Sequence, residues 1–433
     1  MLIGGVGTLV MFTLVILGMP VTFALWLIAF LGIWFVKNLT VADAMLVLET
    51  QANIYSSSIT IIPMFLLLGS FVVGSGMIPV TYEVARRWVG RLPGGLALTS
   101  IAASAAFGAC SGSSAASSLT IGKLAIPEMK RYGYADKVAS GSCAAGGLLA
   151  TLIPPSGIMI IYAMISEQSP GRMLIAGLIP GITMALLFGF GTFIQAKLDP
   201  SNAPVDPKTF TWKERWGSLP QMWGIIVIFS IIFFGIFFGW FTTQESSAFG
   251  AFTALVLLVV RRIREGDVWS AFVAAAIDCA QTASTILHML LGSLAFSIFI
   301  ILAGLPRELS DFVLGLDMSP LSVLLILLGI NIVLGMFLEG MAIMLITVPI
   351  FLPIVTGLGY DPIWYGVAVV ITLEISLLTP PFGICCYVIS GIAPDIPLPT
   401  IFRGAAPYIA FAAIVLALII VFPQIPLWLP SLM

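Results

Sequence analysis

LATLIPPSGI at Leu149–Ile158 and ISLLTPPFGI at Ile375–Ile384 stand 226 residues apart, each breaking a long apolar run with a Pro-Pro pair and a glycine two residues later. A Pro-Pro pair removes two amide donors and frees the carbonyls of the preceding turn. Hydrocarbon penalises such carbonyls heavily unless protein, water or an ion satisfies them. The same shift superposes Pro127 on Pro353, Gly133 on Gly359, Tyr134 on Tyr360, Leu152 on Leu378 and Ile158 on Ile384, making eight identities in 32 positions. A period of half the chain reads as a duplication.

Composition fixes the solvent. Sixty per cent of the 433 residues are apolar and 9% are charged, too little polar surface to coat a soluble globule. The chain therefore reads as an all-α polytopic membrane protein. The first run, Met1 to Gly18, carries no Lys or Arg and no small-residue cleavage site, so it is expected to stay as the first membrane segment. A net charge of −2 with the basic residues in short loops leaves no polybasic face for nucleic acid. The five cysteines (Cys110, Cys143, Cys279, Cys385 and Cys386) lie in apolar segments without CxxC spacing, and His288 is the single histidine; neither a disulfide framework nor a transition-metal site is expected.

Apolar runs of about 20 residues place crossings near 2–18, 20–37, 58–77, 135–166, 172–197, 219–240, 243–262, 279–304, 361–393 and 400–430. Two stretches, 94–127 and 319–354, have small or polar residues at their middle and read as re-entrant hairpins. Charge placement favours hairpins over single crossings. With hairpins, fourteen Lys and Arg fall on one side, from Arg86, Arg87 and Arg91 through Lys130, Arg131 and Lys137 to Arg403, against Lys37, Arg172 and Arg307 opposite and Lys123 within the first hairpin. That asymmetry marks the cytoplasmic face and puts both termini on the periplasmic side. Residues 1–197 then form one repeat (hairpin 94–127, broken helix 135–166) and 219–433 the other (hairpin 319–354, broken helix 361–393). The polar stretch 198–218 is the cytoplasmic linker. Five crossings per repeat is odd, so the second repeat is inverted relative to the first, an arrangement found in secondary transporters. The amphipathic piece Val80 to Leu92 is expected to lie along the interface.

Both hairpin tips and both breaks concentrate non-helical backbone at membrane depth, and such oxygens suit sodium. One ion is expected among the backbone near Ala150, Ile153 and Pro155 with Gly112, Ser113 and Ser114. A second is expected near Thr379 and Pro381 with Gly335 and Gly340. Helix N-termini at the tips and breaks offer amides to a carboxylate, placing Ser113, Ser156, Gly157, Glu339 and Gly383 at the substrate. Gly and Ser runs also mark close helix packing, as at Gly108 and Gly112. Their recurrence at matching points of both halves points to a shared cavity. Glu339 and Glu374 are intramembrane acids and candidate cation or proton partners, with a structural hydrogen bond the bland reading for Glu374. Asp278 and Glu245 are expected near helix ends in water, and His288 as a packed, hydrogen-bonded side chain. Ser111 with His288 would allow an intramembrane serine hydrolase, but the pair comes from different halves. A passive channel for small anions is the other alternative; it would call for charged rings that the sequence lacks. The Gly122-Lys123 pair is followed by Leu124, so there is no phosphate loop for ATP.

LGMPVTFAL (Leu17–Leu25), SGSSAAS (Ser111–Ser117), IPEMKRYGY (Ile126–Tyr134), LIPPSG, LPIVTGLGYDPIWYGV (Leu352–Val367) and TPPFG together resemble the large membrane subunit of the tripartite ATP-independent periplasmic (TRAP) transporters, over nearly the whole chain. The resemblance implies an elevator-type transporter in the bacterial inner membrane, coupled to sodium ions and needing no other cofactor. It also implies a small four-helix membrane subunit, a periplasmic substrate-binding protein and an organic acid as substrate. No four-helix extension precedes the first segment, so the small subunit is expected as a separate chain. The hairpin departs from the family pattern in reading GSSAAS where a Thr is expected nearer Ser117.

Overall fold

The computed structural model describes residues 2–206, 208–315 and 318–433, apart from the side chains of Ser57, Ala109, Cys110 and Leu314. The described residues are helical throughout, with no strand. In chain order the helices are α1 (Leu2–Ile16), α2 (Val21–Val36), α3 (Leu39–Ile54), α4 (Ile61–Gly74), α5 (Met77–Val89), α6 (Gly95–Ser111), α7 (Ser114–Arg131), α8 (Asp136–Gly147), α9 (Leu149–Leu152), α10 (Gly157–Ile165) and α11 (Pro170–Leu198). After them come α12 (Trp212–Ser218), α13 (Trp223–Phe237), α14 (Thr243–Arg262), α15 (Val268–Leu302), α16 (Leu305–Leu314), α17 (Pro320–Gly335), α18 (Gly340–Gly357), α19 (Pro362–Leu378), α20 (Ile384–Ile392), α21 (Leu398–Val421) and α22 (Gln424–Leu427). Among the described residues, six helical segments are each long and apolar enough to cross a bilayer, and counting each of two bent pairs as one span brings the number to eight.

Both apolar stretches with polar middles are interrupted near their centres, the first at Gly112–Ser113 and the second at Met336–Glu339, between Gly335 and Gly340. A two-residue link, Gly112–Ser113, joins α6 to α7, which pack along each other. Gly112 takes φ +60°, a left-handed conformation that favours glycine. In the first long broken helix, α8–α9 runs to Leu152 and α10 restarts at Gly157, bent by 44°. Helix ends recur at the 226-residue spacing: α7 starts at Ser114 and stops at Arg131, α18 at Gly340 and Gly357, and the two Pro-Pro breaks follow Leu152 and Leu378.

Three elements depart from the sequence reading. No element was expected over 39–54, yet α3 occupies it, capped by Asn38 accepting from the Val41 amide at 2.8 Å, and bends by 66° into the next helix. Asp43 and Glu49 dilute its hydropathy below that of a crossing, and its apolar residues are spread round the helix, so neither run length nor periodicity marks it. Helix α15 begins eleven residues before the expected 279, which puts Asp278 inside the helix rather than near its end; the carboxylate accepts from Ser70 Oγ at 2.7 Å. Residues 198–218 are not a plain solvated linker either. Ala135 N–H donates to Asn202 O, α12 carries a Thr211–Glu214 capping box, and Asp206 is buried.

That burial is ionic. Arg86 on the amphipathic α5 is 2% exposed and grips Asp206 through Nε (2.5 Å) and Nη2 (3.0 Å), while Nη1 pairs with Glu128 of α7. Burial works against the guanidinium charge, but the Asp206 hydrogen bonds and the Glu128 carboxylate outweigh it and hold its pKa above the ordinary value. The interfacial helix, the first hairpin and the linker are thereby tied together.

The centre of the bundle is formed by α8 and α19, buried almost all round, with α21 packed against both. Small residues let the backbones meet: a Cβ on Gly404 would lie 1.9 Å from the Lys137 carbonyl oxygen.

Candidate functional site

Both tips, the first break and the residues flanking the second, Leu377 and Ile384, converge on one cavity of about 220 Å³. Its wall includes Ser114, Gly157, Gly340 and Ile384, which are the first residues of α7, α10, α18 and α20. Four helices thus have their N-terminal ends, the positive ends of their dipoles, at this cavity. The leading amides of a helix have no carbonyl partner within it. One amide in each of three helices is used by a cap: Ser113 Oγ accepts from Ala116 N at 3.4 Å, Ser156 Oγ from Met159 N at 3.4 Å, and Glu339 Oε2 from Ala342 N at 3.2 Å. Ser113 and Glu339 are equivalent under the 226-residue shift, so the same capping position carries a hydroxyl in one half and a carboxylate in the other.

The hairpin link meets the first break directly. A Cβ built on Gly112 would stand 3.2 Å from both the Pro155 carbonyl oxygen and the Gly157 nitrogen. In the second half, Phe337 on the tip meets Phe382 in the break, ring centroids 6.1 Å apart. Across the halves, Ser114 Oγ donates to Glu374 Oε2 at 2.7 Å. Glu374 is 1% exposed, whereas Glu339 is exposed at its tip. These two acids are the charged groups of the cavity wall, and no basic side chain lines it.

Of the residues singled out from sequence, the cavity brings together Ser111, Gly112, Ser113, Ser114, Pro155, Gly157, Glu339, Gly340 and Glu374. The others sit off its wall. Ala150 is packed under Gly108, whose Cβ would lie 2.5 Å from the Ala150 Cα, and Ile153 faces an apolar groove on the far side of α6. Ser156 is fully buried and serves as the α10 cap. Gly335 abuts Ser376, Thr379 Oγ1 donates back to Ile375 O at 2.7 Å, and Pro381 and Gly383 lie in the second break away from the cavity, where Gly383 packs against Phe402. The structural hydrogen bond anticipated for Glu374 exists, but on the cavity wall and to the opposite tip. Thr151, Thr282 and Phe65 also line it without having been singled out; Phe65 and Thr282 come from α4 and α15, far in sequence from either break. His288 is exposed rather than packed, its Nδ1 2.7 Å from Ser284 O in its own helix.

Comparison with known proteins gives this arrangement its context. The profile of the family described as the tripartite ATP-independent periplasmic transporter, DctM component, matches residues 8–425. The sialic acid TRAP transporter large permease protein of Vibrio cholerae is 32% identical over 96% of this chain and 95% of its own length. The ectoine/5-hydroxyectoine TRAP transporter large permease protein of Ruegeria pomeroyi is 32% identical over 98% of each. The isethionate TRAP transporter permease protein of Oleidesulfovibrio alaskensis is 28% identical over 95% of this chain but only 64% of its own longer one. Among solved structures, the YdaH transporter of Alcanivorax borkumensis superposes with a TM-score of 0.62 at 14% identity, covering 91% of this chain and 89% of that one, a likeness of fold. The chain belongs to the DctM component family of TRAP transporters and is a multi-pass large permease subunit, not an enzyme.

Proposed function

We propose that this chain is the translocation subunit of a sodium-coupled importer of a small organic acid in the bacterial inner membrane. A periplasmic binding protein delivers the acid, and a small four-helix membrane subunit assists. The observation that carries the reading is the meeting of four helix N-termini at one cavity. Converging amide dipoles suit a carboxylate, and a buried acid beside them with no basic partner calls for a cation. Sodium is the cation that the surrounding oxygens fit: the Pro155 carbonyl faces Gly112, next to the Ser113 and Ser114 hydroxyls. The second ion belongs at the mirrored break, with Gly340 on the cavity and Thr379 and Pro381 behind it.

The recurrence of helix ends at 226 residues supports two repeats, 1–197 and 219–433, joined through 198–218. An odd number of crossings per repeat makes them inverted, with both termini periplasmic. On this reading the hairpins and broken helices move as one elevator body against the remaining helices. Relatives whose names specify sialic acid and C4-dicarboxylate support an organic-acid cargo. Two sodium ions moving inward through 100 mV would supply about 4.6 kcal/mol of electrical work, less the charge carried by the substrate. The test is uptake into proteoliposomes holding both membrane subunits. Accumulation should require external sodium and the loaded binding protein, and uptake indifferent to sodium would overturn the coupling.

A further inference from the structure

Behind the first hairpin, on the face of α6 turned away from the transport cavity, lies a groove of about 770 Å³ between α6, α11 and α13, open along one side. Its lining includes Ile153, the first residue of the Pro-Pro break, and extends to Val89, Leu92 and Met222. None of its nineteen lining residues has a polar side chain, which excludes the hydrophilic cargo of the central cavity. A crossing helix, about 10 Å wide and 30 Å long, would displace on the order of 2,000 Å³, too much for the groove, whereas a flexible hydrocarbon chain can fill it.

The end at Val89 and Leu92 has a different character. Arg91 is exposed between the lining residues Val89 and Leu92 and makes no ion pair or hydrogen bond. On α12, which packs against α5, the Arg215 guanidinium lies over the Trp212 ring at 5.0 Å with its Nε buried and unpaired. Trp88, beside Val89, stacks edge-on against Trp216 at 5.2 Å. Tryptophans of this kind gather at the level of lipid headgroups. The neighbouring carboxylates are engaged elsewhere: Glu83 pairs with Arg87, Glu214 closes the α12 capping box, and Asp206 holds Arg86. An apolar slot with the exposed, unpaired Arg91 beside its lining, and Arg215 carried by the helix packed against α5, is complementary to a lipid bearing a net negative phosphate headgroup.

We infer that the groove is a binding site for an anionic phospholipid, with an acyl chain between α6, α11 and α13 and the phosphate at Arg91 and Arg215. A chain there props the back of the broken helix through Ile153, so the lipid steadies the element that forms one side of the transport cavity.

The test reads lipid binding without transport, so its outcome is independent of sodium coupling. The purified full chain, stripped of lipid in detergent, is titrated with phosphatidylglycerol or phosphatidylcholine and followed by native mass spectrometry and thermal melting. Phosphatidylglycerol should be retained at least tenfold more strongly and should raise the melting temperature more. Arg91→Gln with Arg215→Gln should erase the preference for phosphatidylglycerol while leaving the lipid-free melting temperature unchanged. Gly189→Leu, which narrows the slot from α11, should lower retention of both lipids. A second reading guards against misfolding: a bromine-labelled acyl chain should quench the tryptophan fluorescence of the folded Gly189→Leu protein less than that of the folded wild type. Equal retention of the two lipids by the wild type, or an unchanged preference in the double arginine variant, would overturn the inference. So would a groove that the small subunit shields from a thiol reagent at an introduced Ala105→Cys equally well with and without lipid.

Discussion

Removing the hydroxyl of Ser114 tests whether the first hairpin tip is a site or only a packing element. Ser114 Oγ donates to Glu374 at 2.7 Å, both groups are nearly fully buried, and the bond joins the tip of one half to the broken helix of the other. A hydrogen bond to an ionised or strongly polar acceptor contributes about 1.5–3 kcal/mol, and its loss leaves a buried carboxyl oxygen unpaired. Ala keeps nearly the same volume, so helix contacts survive. Ser114→Ala should therefore reduce sodium-dependent uptake by about tenfold or more, at roughly 1.4 kcal/mol per decade, with expression retained and the detergent melting temperature lowered by no more than the loss of one buried hydrogen bond. Adding Ser113→Ala removes the α7 cap, about a further 1 kcal/mol, together with a second hydroxyl of the cavity wall. The assay is initial-rate uptake against sodium concentration in proteoliposomes. A Ser113→Ala, Ser114→Ala protein with wild-type sodium dependence and rate would refute the reasoning and leave this tip as packing alone.

Glu374→Gln keeps a side chain of the same shape that can still accept from Ser114; uptake should fall and lose its sodium dependence if the carboxylate attracts the cation, whereas retention of both would make it purely structural. Arg86→Met strands Asp206 in the interior without its partner, so the protein should be less stable by about 3–5 kcal/mol, read as a lowered midpoint in a melting or denaturant series; an unchanged midpoint would contradict the buried pair. Gly404→Ala places a methyl 1.9 Å from the Lys137 carbonyl and should destabilise by about 1–3 kcal/mol through separation of α8 and α21, checked the same way. For topology, a cysteine at Lys130 should label from the cytoplasm and one at Asp361 from the periplasm; labelling of both from one side would remove the inverted repeat.

Much of the site was legible because it rests on backbone breakers. Pro154–Pro155 and Pro380–Pro381 interrupt their helices, and the small and polar residues around Gly112 mark a turn that its left-handed φ bears out, so the first tip and both breaks could be placed from local chemistry. What each side chain faces could not. Gly108 and Gly112 are one turn apart and look alike in sequence, yet one packs on Ala150 and the other sits on the cavity beside Pro155. Residues from α4 and α15, such as Phe65 and Thr282, join the wall through tertiary packing with no local signature. The Arg86–Asp206 pair was hidden for a related reason. Loop charges read as solvated until the fold brings α5 and the linker together, and 120 residues separate the partners.

The most direct test of the cavity as the place where cargo and ion bind is protection of a cysteine introduced at Ala115, which lines it and caps nothing, on a background lacking the native cysteines. Modification by a small water-soluble thiol reagent should slow when sodium and the cognate organic acid are present together, while a cysteine at Ala102, in the apolar groove, should be unaffected. An Ala115 cysteine modified at the same rate with and without sodium and substrate, in protein shown to transport, would place the binding site elsewhere.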